Sequence, residues 1–297
     1  MSKLASKRNR TTIGHVLIIA VLTFWALVIF IPLWNAIVIS FMPAHEVTLH
    51  PAAMFPYGFT LDNYKFVFED GGLVSGYRNT LIMVSTGTVY GMFISTAMAY
   101  AFSQQFPGKK FFFLMMVFTM YFGGGMIPCY LMMKRFNLLN KLQGVILMGG
   151  VSAYNIIIMK NGFEQTPQSL VEAAKIDGAN DLILFFRVML PLQAPLLATF
   201  SLFTAVGYWN EWYWSMLTLN KRGLQPLMVI LRSIVNSVET NAQFNFNSAS
   251  SMALDHGVFA KGIRMATLVL TMVPIMCIYP FLQKYFMKGM LIGAVKM

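Results

Sequence analysis

No aspartate, glutamate, lysine or arginine interrupts the chain between Ile13 and Phe41. As a helix rising about 1.5 Å per residue, that run is longer than the roughly 30 Å hydrocarbon core of a bilayer. It is also far longer than the ~7–15 apolar residues of a signal peptide. Lys3, Lys7, Arg8 and Arg10 precede it, but no small-residue cleavage site follows at the right place, so it reads as a retained first membrane helix. Five further stretches have the same character, near residues 79–103, 111–133, 142–159, 188–217 and 265–282, and Glu211 is the one acid inside any of them. Charged residues make up 11% of the chain, against about a quarter in a soluble domain. In lipid every backbone polar group needs a partner, which leaves helices or a closed barrel. Strand-like alternation is absent, so the expectation is an all-α integral membrane protein with six transmembrane helices. Pro32, Pro128, Pro195, Pro274 and Pro280 can kink them. Gly123-Gly124-Gly125 allows close packing or a helix break.

An even number of spans puts both termini on one side. With both in the cytoplasm, the inner segments carry 12 of the 22 lysines and arginines on much shorter lengths of chain. Lys134, Arg135 and Lys141 in an outer loop weigh the other way. The basic segment before the first span decides for N-in, C-in, because the first helix usually sets orientation. The positive charge therefore belongs to span ends and not to a nucleic-acid surface. Cys129 and Cys277 lie in apolar runs and form no disulfide framework or metal site. His15, His45, His50 and His256 are scattered without ligand spacing. No GxxxxGK[ST] phosphate loop occurs. No metal and no cofactor is expected on this chain.

The most informative stretch lies between the fourth and fifth runs, from Gln165 to Asn180. Thr166-Pro167 suits an N-cap followed by a first helical residue. The helix is expected to run to Asp177 and stop at Gly178, which takes a left-handed conformation easily. Leu170, Val171 and Ala174 make a small apolar patch. Asn180 can cap a second short helix carrying Leu182, Leu184, Phe185 and Phe186 into Pro191. A helix of about ten residues is marginal alone, and Asp177 at its C-terminal end opposes the macrodipole. A protein partner and a surface-lying amphipathic helix both explain such a segment.

The spacing Glu172-Ala173-Ala174, three residues, Gly178, nine residues, Val188, one residue, Leu190-Pro191 resembles the EAA signature of permease subunits of bacterial ABC importers. Val188 stands where isoleucine is usual. Pro43-Ala44-His45-Glu46-Val47, Thr60-Leu61-Asp62-Asn63-Tyr64, Asn79-Thr80-Leu81, Phe106-Pro107-Gly108-Lys109, Tyr208-Trp209-Asn210-Glu211 and the ending Gln283 to Lys296 are similar to the second permease subunit of maltose-type, carbohydrate-uptake importers. Gly123 to Pro128 is similar to the branch linked to oligosaccharides such as aldouronates. The resemblance implies a cytoplasmic tail at 1–12, one six-helix permease domain at 13–286 with a coupling loop at 160–190 between helices 4 and 5, and a cytoplasmic tail at 287–297. It further implies that Glu172, Ala173, Ala174, Asp177, Gly178, Leu190 and Pro191 form or support a coupling helix that docks on an ATPase. The implied partners are a second homologous permease, two ATP-binding subunits holding ATP and Mg, an extracytoplasmic sugar-binding protein and membrane lipid. The implied location is the bacterial cytoplasmic (inner) membrane.

Trp209, Asn210 and Glu211 stand as candidates for the pathway or outer gate, since an intramembrane acid is functional by default. Tryptophan and tyrosine also gather at membrane interfaces, and that is the ordinary explanation of the cluster. The Asn- and Ser-rich segment near 218–263 suits a docking surface for the binding protein. An ion-gradient-driven secondary transporter would need acids or bases in several spans, and only Glu211 is available. An intramembrane enzyme would need paired acids or a nucleophile with its base, and neither occurs.

Overall fold

The computed structural model describes residues 13–69, 72–244 and 261–277. Every regular element among the described residues is a helix. The chain gathers into two compact units, one from Met1–Glu69 with Val238–Leu270 and the other from Asp70–Ser237 with Thr271–Met297.

The first unit opens with α1 (Ile13–Ser40), which passes through Pro32 without ending. Its side chains from Val16 to Ile31 lie exposed, and only towards its end do Val38 and Ile39 become buried, with Met42, Val47 and Ala53 around them. Residues 41–64 fold as a clasp over that end. In α2 (Ala44–Leu49), Val47 points into the cluster. At the start of α3 (Asp62–Glu69), the buried Asn63 amide donates to the carbonyls of Ser40 and Met42 at 3.1 Å each. The two loop motifs singled out in the sequence therefore serve a structural purpose: Asn63 closes the orphan Ser40 carbonyl at the end of α1 and the Met42 carbonyl just beyond it, and Val47 packs over that end.

The second unit is built on α4 (Gly72–Ser103), which starts seven residues before the expected 79. Asn79 and Thr80 lie within it. The Asn79 amide donates to the carbonyls of Gly223 and Gln225 at 2.9 and 3.1 Å, and the Thr80 hydroxyl accepts from the Leu227 N–H at 2.9 Å. The third run is no straight span. It forms α5 (Lys109–Tyr121) and α6 (Met126–Arg135), bent by 115° at the glycine triplet. The fourth divides into α7 (Leu142–Gly149) and α8 (Ala153–Glu164), bent by 51°. The helices α9 (Gln168–Ile176), α10 (Asp181–Ile183) and α11 (Leu190–Leu192) lead to α12 (Ala194–Trp209), with an 82° bend between α11 and α12. The chain continues as α13 (Tyr213–Thr218), α14 (Leu227–Phe244) and helical residues 261–277, here α15.

These breaks have chemical causes. Pro191 has no N–H for the Arg187 carbonyl and its ring crowds that turn. The residues before it, Leu184–Met189, form a π-helix, a wider turn that occurs mostly as short segments within α-helices. Pro195 repeats the problem one turn later. Among the described residues, two helices, Gly14–Ser40 and Gly72–Ser103, are long and apolar enough to cross a membrane unbroken, and three bent pairs reach that length together. The rest of the last expected run, 278–282, lies outside the described residues, as do both tails.

Candidate functional site

The site is the excursion between α8 and α12. After α8, the Thr166 N–H donates to the Phe163 carbonyl at 3.1 Å, and its hydroxyl accepts from the Gln193 amide at 3.2 Å. Thr166 therefore does not cap the next helix. The cap position falls on Pro167, whose carbonyl accepts from Leu170 at 3.1 Å. The Gln193 amide holds that hydroxyl on its own side, and α9 starts with no side-chain cap. The same Gln193 amide reaches the Gly162 carbonyl at 2.8 Å, which ties the entry of the loop to the head of α12. Sequence reasoning passed over Gln193. The available signal was a lone amide between Pro191 and Pro195 in an apolar run.

The end of α9 follows the expected pattern. Gly178 adopts φ +81°. Its N–H donates to the Lys175 carbonyl at 3.0 Å, and the Ala179 N–H donates to the Ala174 carbonyl at 2.9 Å. This pair of bonds around a left-handed residue is the Schellman closure of a helix. Two residues later the Asn180 side chain accepts from the Ile183 N–H at 2.8 Å, capping α10.

The apolar residues divide between two faces. Val171, Ala174, Val188 and Leu190 pack against a core of Ala99, Phe102, Met159, Phe163, Leu184, Phe185 and Met189. Leu170, expected beside Val171 and Ala174, turns outward, with Ile176, Leu182, Ile183 and Phe186. Ile176 is 86% exposed. Glu172, Ala173, Asp177 and Gly178 lie exposed on the same excursion. No residue of α9 is buried. The arrangement is a short amphipathic helix anchored by one face, with its other face apolar, acidic and open.

The second candidate group lies at the far end of α12, about 24 Å away along a helix of its length. Trp209 is buried with its ring edge-on to Tyr77 at 6.4 Å, and the Asn210 amide donates back to the Val206 carbonyl at 3.0 Å. Glu211 accepts from the Trp214 and Ser215 N–H groups at 2.7 and 3.2 Å, so its carboxylate caps α13. Its local work is structural, and the structure does not bring it together with the loop residues. Removing the charge while keeping the amide acceptor, as in Glu211→Gln, is expected to cost only about 1 kcal/mol in thermal unfolding of the purified chain. A loss several times larger would give the carboxylate a further partner. No cluster of potential metal ligands occurs among the described residues.

The sequence matches the family described as binding-protein-dependent transport system inner membrane component over residues 91–292. The polygalacturonan/rhamnogalacturonan transport system permease protein YtcP of Bacillus subtilis is 38% identical over 94% of this chain and 97% of its own length. The arabinooligosaccharides transport system permease protein AraQ of Halalkalibacterium halodurans is 27% identical over 98% of this chain and 99% of its own. A solved structure of a bacterial ABC transporter involved in the import of the acidic polysaccharide alginate contains a chain matching with a TM-score of 0.84. That match has 30% identity and covers 96% of this chain and all of the other.

Proposed function

Because this chain belongs to the family of binding-protein-dependent transport system inner membrane components, we propose that it is the permease subunit of an ATP-driven oligosaccharide importer in the bacterial cytoplasmic membrane. Oligosaccharides containing uronic acids are the first cargo to test, given relatives named for polygalacturonan/rhamnogalacturonan and for alginate. The chain works with a second, similar permease, two ATP-binding subunits and an extracytoplasmic sugar-binding protein. Six spans, with both termini cytoplasmic, enclose the path together with the partner permease. ATP and Mg reside on the ATP-binding subunits, and this chain performs no bond chemistry.

The observation that carries the reading is α9, a nine-residue helix with no buried residue, whose apolar contacts with the core run along Val171 and Ala174. Its open face offers Leu170 and Ile176 beside Glu172 and Asp177. A helix that short is marginal without a partner. An ATPase cleft gives it one, and closure of two such subunits then draws the loop and reorients the spans. The 16-residue helix α12, bolted to the loop entry through Gln193, carries that motion across the membrane. Affinity purification of the tagged chain in mild detergent from its native membrane is expected to recover a second permease and a phosphate-loop ATPase, with the ATPase lost on Glu172→Lys. Recovery of the chain alone, with uptake that survives ATP depletion and collapses with an ionophore, would return the gradient-driven transporter to first place.

A further inference from the structure

The helix α5 begins unfavourably. Lys109 and Lys110 occupy its first two positions, its first turn contains no acid, and Gly108 before it provides no side-chain cap. The helix macrodipole opposes cations at that end. The compensating charge comes from another helix. Glu164, the last residue of α8, has Oε2 2.6 Å from Lys160 Nζ and Oε1 3.7 Å from Lys109 Nζ. The two lysine side chains are only 13% and 20% exposed but the Glu164 side chain is 38% exposed, so salt screens this cluster in part, less than a fully exposed pair. Lys160 Nζ also lies 5.4 Å from the centroid of the Phe113 ring on α5. One carboxylate therefore joins the last turn of α8 to the first turn of α5, just before Gln165–Pro167 enter α9.

We infer that the Glu164–Lys109 pair is a positioning link that makes α5 move with the coupling loop. The inference rests on the reading of that loop as the ATPase contact. A pull on α9 acts first on the turn at 165–167. Gln193 passes it to α12 on one side, and Glu164 passes it to α5 on the other. Without the carboxylate, a helix starting with two uncompensated cations has no electrostatic reason to follow.

The test uses the complex recovered with its partners in lipid nanodiscs. Spin labels sit at the exposed Phe111 and Leu182 positions, which leave both lysines of α5 and the whole of α9 intact, with Cys129 and Cys277 replaced by serine. With Glu164 and Lys109 intact, the distance between labels is expected to keep one narrow distribution with and without ATP. In Glu164→Gln or Lys109→Met, ATP is expected to widen it about twofold, with the double variant no wider than either single one. Lys109→Arg, which keeps a cation beside Glu164 and leaves the Lys160 contact in place, is expected to keep the distribution as narrow as in the intact pair, which a merely structural loss at position 109 would not do. Should Glu164→Gln fail to assemble, Lys109→Met alone, at a helix terminus, still decides. Unchanged distributions in the single variants, or independent and multiplying effects in the double, overturn the link. A complex in which no ATPase subunit is recovered refutes the loop reading itself, whatever the labels report.

Discussion

Valine at position 178 is expected to weaken docking of the ATPase subunits by about thirtyfold and to remove most ATP-driven uptake, while the chain still inserts and pairs with its partner permease. The reason is confined to one residue. Gly178 sits at φ +81°, where an L-residue costs roughly 1–2 kcal/mol, and a β-branched one lies at or above the top of that range. The backbone can escape only by giving up the bonds from Gly178 and Ala179 to Lys175 and Ala174. That unwinds the last turn of α9 and swings Asp177 away from Glu172. A penalty near 2 kcal/mol on the docking-competent turn corresponds to about a thirtyfold fall in affinity. Nothing lies within 4 Å of a Cβ built at this glycine, so the cost is conformational and not steric. Asparagine, which tolerates the left-handed region, is therefore expected to keep most of the affinity. Titrating the ATPase subunit against the purified permease pair measures both variants. Equal affinities for valine and wild type would remove the turn from the docking surface.

The asparagine control shows why the loop was legible in the sequence. Gly178 and Asn180 act through their own backbone, and local chemistry is visible in a one-dimensional string. The uncharged run from Ile13 is equally local, and its helix ends at Ser40 against an expected 41. What a string hides is competition from elsewhere in the fold. Thr166 has the composition of a cap, but its hydroxyl is claimed by Gln193, twenty-seven positions on. Leu170 falls within helical spacing of Val171 and Ala174, yet only the latter two meet the core, because a nine-residue helix buries a narrow stripe. In runs three to five the glycine triplet and the prolines leave a break or kink open, but its size is out of reach because hydropathy is blind to direction. A 115° bend at Gly123–Gly125 leaves the average polarity unchanged. Glu211 was ambiguous for the opposite reason. Its charge was visible, but the helix it caps begins two residues later, among aromatics that suggested an interface.

The same blindness hides the point where this membrane unit tolerates least, and alanine at Gly91 is expected to lower the thermal midpoint of the purified chain by several degrees. Gly91 faces the backbone of Gly150, at the break between α7 and α8. A Cβ there would run into the Gly150 carbonyl oxygen, with the carbonyl carbon and Cα at 2.9 and 3.0 Å. A side chain could rotate away, but two backbones cannot, so α4 must separate from the break. That separation reaches Tyr208, which is 3% exposed and donates its hydroxyl hydrogen to the Ile146 carbonyl. A Cβ at Gly87 would meet its ring at 2.5 Å and one at Gly150 its hydroxyl at 2.8 Å, so the ring is already gripped from both sides. Overpacking of this kind costs about 1–3 kcal/mol. At roughly 2–4 °C per kcal/mol for a unit of this size, a drop of about 2–12 °C follows. Gly207 on α12 supplies the opposite case. Nothing lies within 4 Å of a Cβ placed there, so Gly207→Ala removes only the entropy cost of a glycine in a helix, about 0.5–1 kcal/mol, and should raise the midpoint by a degree or more. Two identical substitutions on neighbouring helices are thus expected to move the same melting curve in opposite directions. An unchanged or raised midpoint for Gly91→Ala would mean that α4 and the α7–α8 break do not meet through their backbones, and a fall for Gly207→Ala would mean that its Cβ is not free.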